Sequence, residues 1–325
     1  MTVLVTGGAG YIGSHTVLGL RDRGEEVVVL DDLSTGVARL VPPGVELIEG
    51  DAGDAALLAR LFSGRTVDAV IHFAGSIVVP ESVADPLKYY RNNTANSRTL
   101  IEACVTAGVP RFIFSSTAAV YGIPDRVPVA EDAVLAPISP YGSSKLMTEW
   151  MLRDTAAAHD FSCIALRYFN VAGADPAGRS GQSTPEATHL IKVAVQAVMG
   201  TRDHVSVFGD DYDTPDGTGI RDYIHVTDLA AAHLAALDHL RGGARSGVFN
   251  CGYGRGASVR EVLAAVERVS GTTLDIRNGP RRAGDPPSLV ADASRLRKTL
   301  AWTPALDDLD TIVAHALDWE RRLAG

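Results

Sequence analysis

Leu4-Val5-Thr6-Gly7-Gly8-Ala9-Gly10-Tyr11-Ile12-Gly13-Ser14-His15 is the stretch that decides how this chain is read. A β-branched run from Thr2 to Val5 leads into the glycine cluster, and a helical apolar pattern starts at Tyr11 and continues through Val17, Leu18 and Leu20. Strand, glycine turn and helix in that order predict the first half of a dinucleotide-binding βαβ unit. Gly7 allows the tight turn and Gly10 lets the backbone close on a pyrophosphate. Gly13, lacking a Cβ, lets the helix pack tightly against the strand. The first N–H groups of the helix and its positive dipole end then face the phosphates. A second hydrophobic run, Val27 to Leu30, ends at Asp31. That is about 20 residues past the glycines, where an acid holds the adenosine ribose hydroxyls. Asp31 and Asp32 are both acidic and no arginine follows until Arg39, so a 2′-phosphate is repelled and NAD is favoured over NADP.

Outward from this unit, apolar runs and helical patterns alternate. Strands are predicted over residues 45–48, 69–73, 112–115 and 164–167, and helices over 54–62, 86–107 and 140–158. This alternation means an α/β fold, a Rossmann-type doubly wound parallel sheet whose ligands sit beyond the carboxyl ends of the strands. Glycine, proline and polar residues fill 172–185, a domain boundary or substrate loop. A smaller α/β portion follows, with helices over 186–199, 226–240, 259–270 and 309–323, strands over 205–208 and 248–251, and a loop at 209–219. The division is therefore 1–170 and 171–325, with segments such as 220–240 able to return to the first part.

Composition bounds the partners. The 325 residues are 46% hydrophobic and 21% charged, enough apolar material for one large domain or two ordinary ones. A net charge of −9 argues against nucleic acid, which needs a basic footprint. Cys104, Cys163 and Cys251 are scattered, so neither a disulfide framework nor a metal site is expected. No apolar run approaches the roughly 18 residues of a membrane span, and the N-terminus reads as a strand rather than a signal peptide. A reduced cytoplasm is the expected location.

Ser139-Pro140-Tyr141-Gly142-Ser143-Ser144-Lys145 has the form of a helix start, with Ser139 as N-cap and Pro140 in the first turn. Tyr141 and Lys145 then share one helix face. Beside a lysine ammonium and a cationic nicotinamide, a phenol is expected to ionise below its usual value of about 10. Such a phenolate removes a proton from a sugar or alcohol hydroxyl while hydride leaves the same carbon. Upstream, the strand Phe112-Ile113-Phe114 runs into Ser115-Ser116-Thr117. A hydroxyl there can hydrogen-bond the reacting oxygen, with capping of the strand end as the lesser alternative for Thr117.

These glycines, Tyr141-x-x-x-Lys145 and the Ser-Ser-Thr strand resemble the extended short-chain dehydrogenase/reductase superfamily, and more closely its UDP-sugar 4-epimerases. Supporting segments include His72-Phe73-Ala74-Gly75, Arg167-Tyr168-Phe169-Asn170, residues 216–226 and Arg281-Arg282-Ala283-Gly284-Asp285. The resemblance implies NAD as cofactor and a UDP-sugar as substrate. Tyr141 is implied as base and acid, Lys145 as its electrostatic and ribose partner, and Thr117 stands where serine is common. Gly7, Gly10, Tyr11, Ile12, Gly13, Asp31, Asp51, Phe73, Ala74, Asn92 and Tyr168 are implied to contact NAD. Asn170, His189, Phe208, Arg221, Arg282 and Asp285 are implied to hold the UDP part. The implied cycle passes the C4 hydride to NAD, turns the 4-ketose about its UDP link and returns the hydride to the other face. It further implies a homodimer built by the helices of 86–107 and 140–158.

Three positions depart from the family pattern. Ile77 stands where some members have lysine, His189 where asparagine is frequent, and Leu289 where a residue helps to decide whether N-acetylated sugars fit. Ala118-Ala119 replaces the Asp-Glu pair of related 4,6-dehydratases, which disfavours water elimination. Epimerases of N-acetylated, pentose or uronate UDP-sugars, an NAD-consuming dehydrogenase and a non-enzymatic NAD-sensing protein are the competing expectations.

Overall fold

The computed structural model describes residues 1–184, 187–282 and 285–325. The chain opens with β1 (Thr2–Thr6), α1 (Tyr11–Asp22), β2 (Glu26–Asp31), β3 (Glu46–Glu49), α2 (Ala55–Ser63) and β4 (Val67–His72). It continues through α3 (Val79–Ala84), α4 (Pro86–Tyr89), α5 (Asn96–Ala107), β5 (Arg111–Thr117), α6 (Pro140–Ala158) and β6 (Ser162–Tyr168). Then come β7 (Asn170–Ala172), α7 (Leu190–Val198), β8 (Val205–Phe208), β9 (Ile220–His225), α8 (Val226–Arg241) and β10 (Gly247–Cys251). The last elements are β11 (Gly256–Ser258), α9 (Val259–Ser270), β12 (Ile276–Gly279), β13 (Ser288–Leu289), α10 (Ser294–Leu300) and α11 (Leu309–Ala324).

Seven of these strands form one parallel sheet in the order β10-β6-β5-β4-β1-β2-β3. Its central strands carry the apolar runs Val3–Val5, Ala69–Ile71 and Phe112–Phe114 because both faces are covered. Side-chain alternation divides them: Val3, Val5, Val27, Val29 and Ile71 meet Val17 and Leu20 of α1 and Leu229 and Leu237 of α8. Leu4, Val28, Leu30 and Val70 meet Leu58 of α2, Leu100 of α5 and Leu152 of α6 on the other side. Several helices start where short polar side chains supply an acceptor to the free N–H groups of the first turn. Asp54 accepts the Ala56 and Leu57 N–H groups, Ser139 accepts that of Gly142, and Ser258 with Glu261 forms a reciprocal box. No helix among the described residues is long and apolar enough to cross a membrane.

Beyond β6 a second, small sheet runs β11-β9-β13 with β7 alongside β9, and β8 pairs with β12. Two later elements go back to the first sheet: α8 packs on α1, and β10 pairs with β6 from Gly247↔Ile164 to Cys251↔Tyr168.

Two local features were not legible beforehand. The expected helix over 86–107 is interrupted by a π-helical stretch at Tyr90–Ala95, where buried Asn93 accepts the Ser76 N–H and donates to the Ser76 carbonyl and Ser144 Oγ. β9 carries a fully buried aspartate, which obscures its strand character. Asp222 belongs there because it accepts the backbone N–H groups of Tyr253, Gly254 and Ala291 at 2.9, 2.9 and 3.2 Å. The helix expected over 186–199 is α7, which begins after His189, and Glu186 lies outside the described residues.

Candidate active site

The sheet reverses its direction of strand addition between β1 and β4, and a crevice opens at the carboxyl ends of those strands. Gly7 turns there with φ +70°, and a Cβ on it would sit 2.6 Å from the Ala74 nitrogen. A Cβ on Gly13 would run into the Gly7 carbonyl oxygen. Gly10 caps α1 in an extended conformation with no side chain to bond the first-turn N–H groups. These donors have no intrahelical acceptor and remain free for an anion. His72, at the end of β4, ties the crevice walls together through Thr6 Oγ1 at 2.6 Å and Ser97 Oγ at 2.9 Å. Burial, and then the nearby Lys145 charge, lower His72 to a pKa of about 3, so it serves here as a neutral cross-link.

Asp31 ends β2 and is 6% exposed. It accepts the Ala9 and Leu33 N–H groups at 2.9 Å each, so it braces the glycine loop and still has lone pairs for a ribose. Burial raises its pKa, and the two N–H donors oppose that shift. Asp51, just past β3, is exposed and accepts from Gly53 N–H and Asn96 Nδ2. Phe73 and Ala74 follow β4, with Phe73 tilted on His233. Asn92 lies on the π-helical stretch and donates to Ser76 Oγ. Tyr11 differs from expectation in one respect. Its phenol donates to the Gly173 carbonyl at 2.7 Å inside the core, which leaves the Tyr11 backbone as its contribution to the crevice. Ile12 is half-buried against the same core.

Across the crevice, Thr117 ends β5, Tyr168 ends β6, and Tyr141 and Lys145 face them from the first turns of α6. Lys145 is 2% exposed. It donates to the Ser115 carbonyl at 2.9 Å and lies over the Phe114 ring. Burial lowers it to about 8. Burial raises the Tyr141 phenol, and the neighbouring Thr117 hydroxyl pulls it partly back. The expected lowering of Tyr141 by the lysine is therefore absent in the chain by itself. The desolvation cost of a phenolate wins until a further positive charge enters the crevice. Ser115 is the residue that sequence reasoning passed over. Its carbonyl holds Lys145 and its hydroxyl meets the Tyr168 phenol, so one strand residue orders two polar side chains. Its place in the Ser-Ser-Thr run was the available signal.

A second cluster lies on the smaller portion. The Arg282 guanidinium sits 4.0 Å over the Phe208 ring, and Arg221 pairs with Asp285 at 2.8 Å. Ala283 and Gly284, between these residues, lie outside the described residues. Asn170 is on β7, which pairs with β9 at Asn170↔Tyr223, two residues from Arg221. His189 lies before α7, near Gln182 in a cavity of about 20 Å³ that Tyr11 and Lys192 also line. Burial lowers its pKa, so it presents a neutral imidazole. Leu289 links the two clusters: it pairs with Arg221 in the β9–β13 register and packs beside Ala118, Tyr121 and Leu146.

Residues 3–252 match the NAD dependent epimerase/dehydratase family. The chain belongs to that family. It is 63% identical over 321 residues to the UDP-glucose 4-epimerase of Azospirillum brasilense, covering 99% of this chain and 92% of that protein. The UDP-glucose 4-epimerase of Brucella ovis, solved with NAD, is 46% identical with a TM-score of 0.95, covering 98% of this chain and 97% of that one. The Bifidobacterium longum enzyme, solved with NAD+ and UDP, is 40% identical with a TM-score of 0.94, covering 99% and 98%.

In this epimerase/dehydratase family member, Ala118 and Ala119 follow Thr117 in a short 3-10 turn, so no carboxylate enters from that position. Ile77 is 51% exposed and adds no charge near the crevice. The phosphate-facing donors of the glycine loop are thus backbone groups.

Proposed function

We infer that this protein is an NAD-dependent epimerase acting at C4 of a UDP-hexose, interconverting UDP-glucose and UDP-galactose. The observation that carries the reading is the convergence of Thr117, Tyr141 and Lys145 on the crevice beside the glycine loop, in a chain related over its whole length to UDP-glucose 4-epimerases. NAD held in this crevice would supply the reversible hydride acceptor. Tyr141 takes the proton of the C4 hydroxyl and returns it, Thr117 hydrogen-bonds the same oxygen, and Lys145 favours the phenolate by its charge. Gly7, Gly10, Ile12 and Gly13 accommodate the pyrophosphate by backbone, Asp31 the adenosine ribose, and Asp51, Phe73, Ala74, Asn92 and Tyr168 the rest of the cofactor.

Arg221 and Arg282 hold the UDP diphosphate by charge-assisted bonds, with Phe208, Asn170, His189 and Asp285 completing the anchor. Asp285 partners Arg221, which fixes the direction of the guanidinium. We divide the chain functionally into a cofactor part over 1–170, joined by α8 and β10, and a UDP-sugar part made of the remaining residues after 170. The test is direct: purified protein given UDP-galactose should produce UDP-glucose without net change in absorbance at 340 nm. Stoichiometric growth of that absorbance would point to a dehydrogenase, and an inert NAD-loaded protein to a sensor.

We also propose a homodimer and a cytoplasmic location. Leu100, Ile101 and Leu146 are buried within the chain, whereas Val83, Leu87 and Trp150 on α3, α4 and α6 are 65%, 77% and 46% exposed. Those exposed apolar groups support pairing of these helices with a second copy. Light scattering should give twice the 34.3 kDa chain mass, and a monomer mass would reject the pairing. The three free, buried cysteines are consistent with a reducing compartment.

A further inference from the structure

Directly behind the Thr117–Tyr141–Lys145 group lies an ion pair that the chemistry described so far does not use. Glu149 on α6 and Arg167 on β6 meet at 2.6 Å, each side chain 4% exposed. Arg167 is bidentate, with Nε and Nη2 on the Glu149 carboxylate at 2.9 and 2.6 Å. Ser116 Oγ donates to the same carboxylate, and Arg167 Nη1 donates to the Tyr121 hydroxyl at 2.9 Å. Each of these four residues is placed close to a member of the active-site group. Ser116 precedes Thr117 on β5, and Arg167 precedes Tyr168 on β6. Tyr121 closes the short turn after Thr117, and Glu149 is one helical turn beyond Lys145. Tyr141, Lys145 and Glu149 thus recur at four-residue spacing on one face of α6.

A buried ion pair is a weak device for stability, because two charges leave water to form it, and apolar residues of similar size often serve as well. What it supplies is direction: a planar fork on a carboxylate fixes distance and angle together. We propose that Glu149 and Arg167 are positioning residues for the epimerase reaction, holding α6 in register with the ends of β5 and β6 so that Tyr141 meets Thr117 and the substrate hydroxyl. The inference rests on the epimerase reading above.

The test compares wild type, Glu149→Gln and the double variant Glu149→Leu/Arg167→Met. Removing both charges together avoids leaving one buried and unpaired, so the double variant is expected to melt within a few degrees of wild type and to retain NAD. Its kcat for UDP-galactose should fall about tenfold or more, since a displacement of about 1 Å can cost up to about 100-fold. KM should stay within about twofold, because the arginines that anchor UDP lie on other elements. Glu149→Gln, which keeps the shape but weakens the fork, should show the same split at smaller size. It carries the test if the double variant does not fold. A folded, NAD-loaded variant with wild-type kcat overturns the proposal, as does a loss confined to KM. Inert wild-type protein would instead overturn the epimerase reading and this inference with it.

Discussion

Replacing Tyr141 with phenylalanine is expected to lower kcat for UDP-galactose by about 10³-fold while the purified protein still carries NAD. The estimate follows from what a positioned general base contributes, roughly 10²–10⁴-fold. The ring stays: Tyr141 is 9% exposed and stands edge-on to Tyr89, a contact that phenylalanine preserves. Only the hydroxyl, and its interaction with the neighbouring Thr117, is lost. The pH dependence gives a second readout. In the chain alone burial raises this phenol, so its ionised, base-competent form is disfavoured at neutral pH. The positive charges of Lys145 and of bound oxidised nicotinamide act in the opposite direction. The wild-type rate should therefore rise with pH as the phenol ionises, and that limb should vanish in Tyr141→Phe. Near-normal turnover with the limb intact would remove Tyr141 from its role.

Gly13→Ala is the second large effect. The added Cβ would be forced onto the Gly7 carbonyl oxygen and within 2.9 Å of Gly8 Cα, all of it backbone that has no rotamer to yield. Either α1 moves away from β1 or the glycine loop opens. Overpacking of this kind costs about 3 kcal/mol at the upper end of its usual range. The loop that must close on a pyrophosphate is the part displaced, so the loss falls on cofactor as well as on stability. The variant should purify with little or no NAD, melt well below wild type and be inactive. Wild-type NAD content, read by absorbance after acid release, would contradict the close packing of α1 on the loop. Alanine at Gly24, where a Cβ meets nothing within 4 Å, is the control for crowding. Its positive φ brings backbone strain alone.

These two variants probe opposite kinds of information. Gly13 was legible because its requirement is local: a strand, a turn and a helix within a dozen residues leave no space for a side chain at that position. The same holds for the strands of the first sheet, whose apolar runs reflect burial on both faces, and for α6 and α9, whose caps lie beside them in sequence. Tyr141 and Lys145 were legible as a pair because helical periodicity places residues four apart on one face.

Contacts between distant segments were not written in any short window. β10 reads as an ordinary strand of the later portion, yet it completes the first sheet because the edge of β6 offers it a parallel register. Asp222 looks unsuited to a strand until Tyr253, Gly254 and Ala291 bring three N–H groups to it. Tyr11 has the position of a cofactor contact, but Gly173, 162 residues away, supplies the carbonyl that draws its phenol inward. The charge state of the Tyr141–Lys145 pair is also a tertiary matter. Periodicity places the two groups together, whereas desolvation by the surrounding elements sets which form each one adopts. Local backbone geometry and side-chain period are properties of consecutive residues, so sequence alone determined the first six strands of the large sheet, the glycine turn and the paired residues of α6. Burial and long-range hydrogen bonds depend on what packs against a residue, so only the assembled fold decided the partners, the protonation and the Glu149–Arg167 brace.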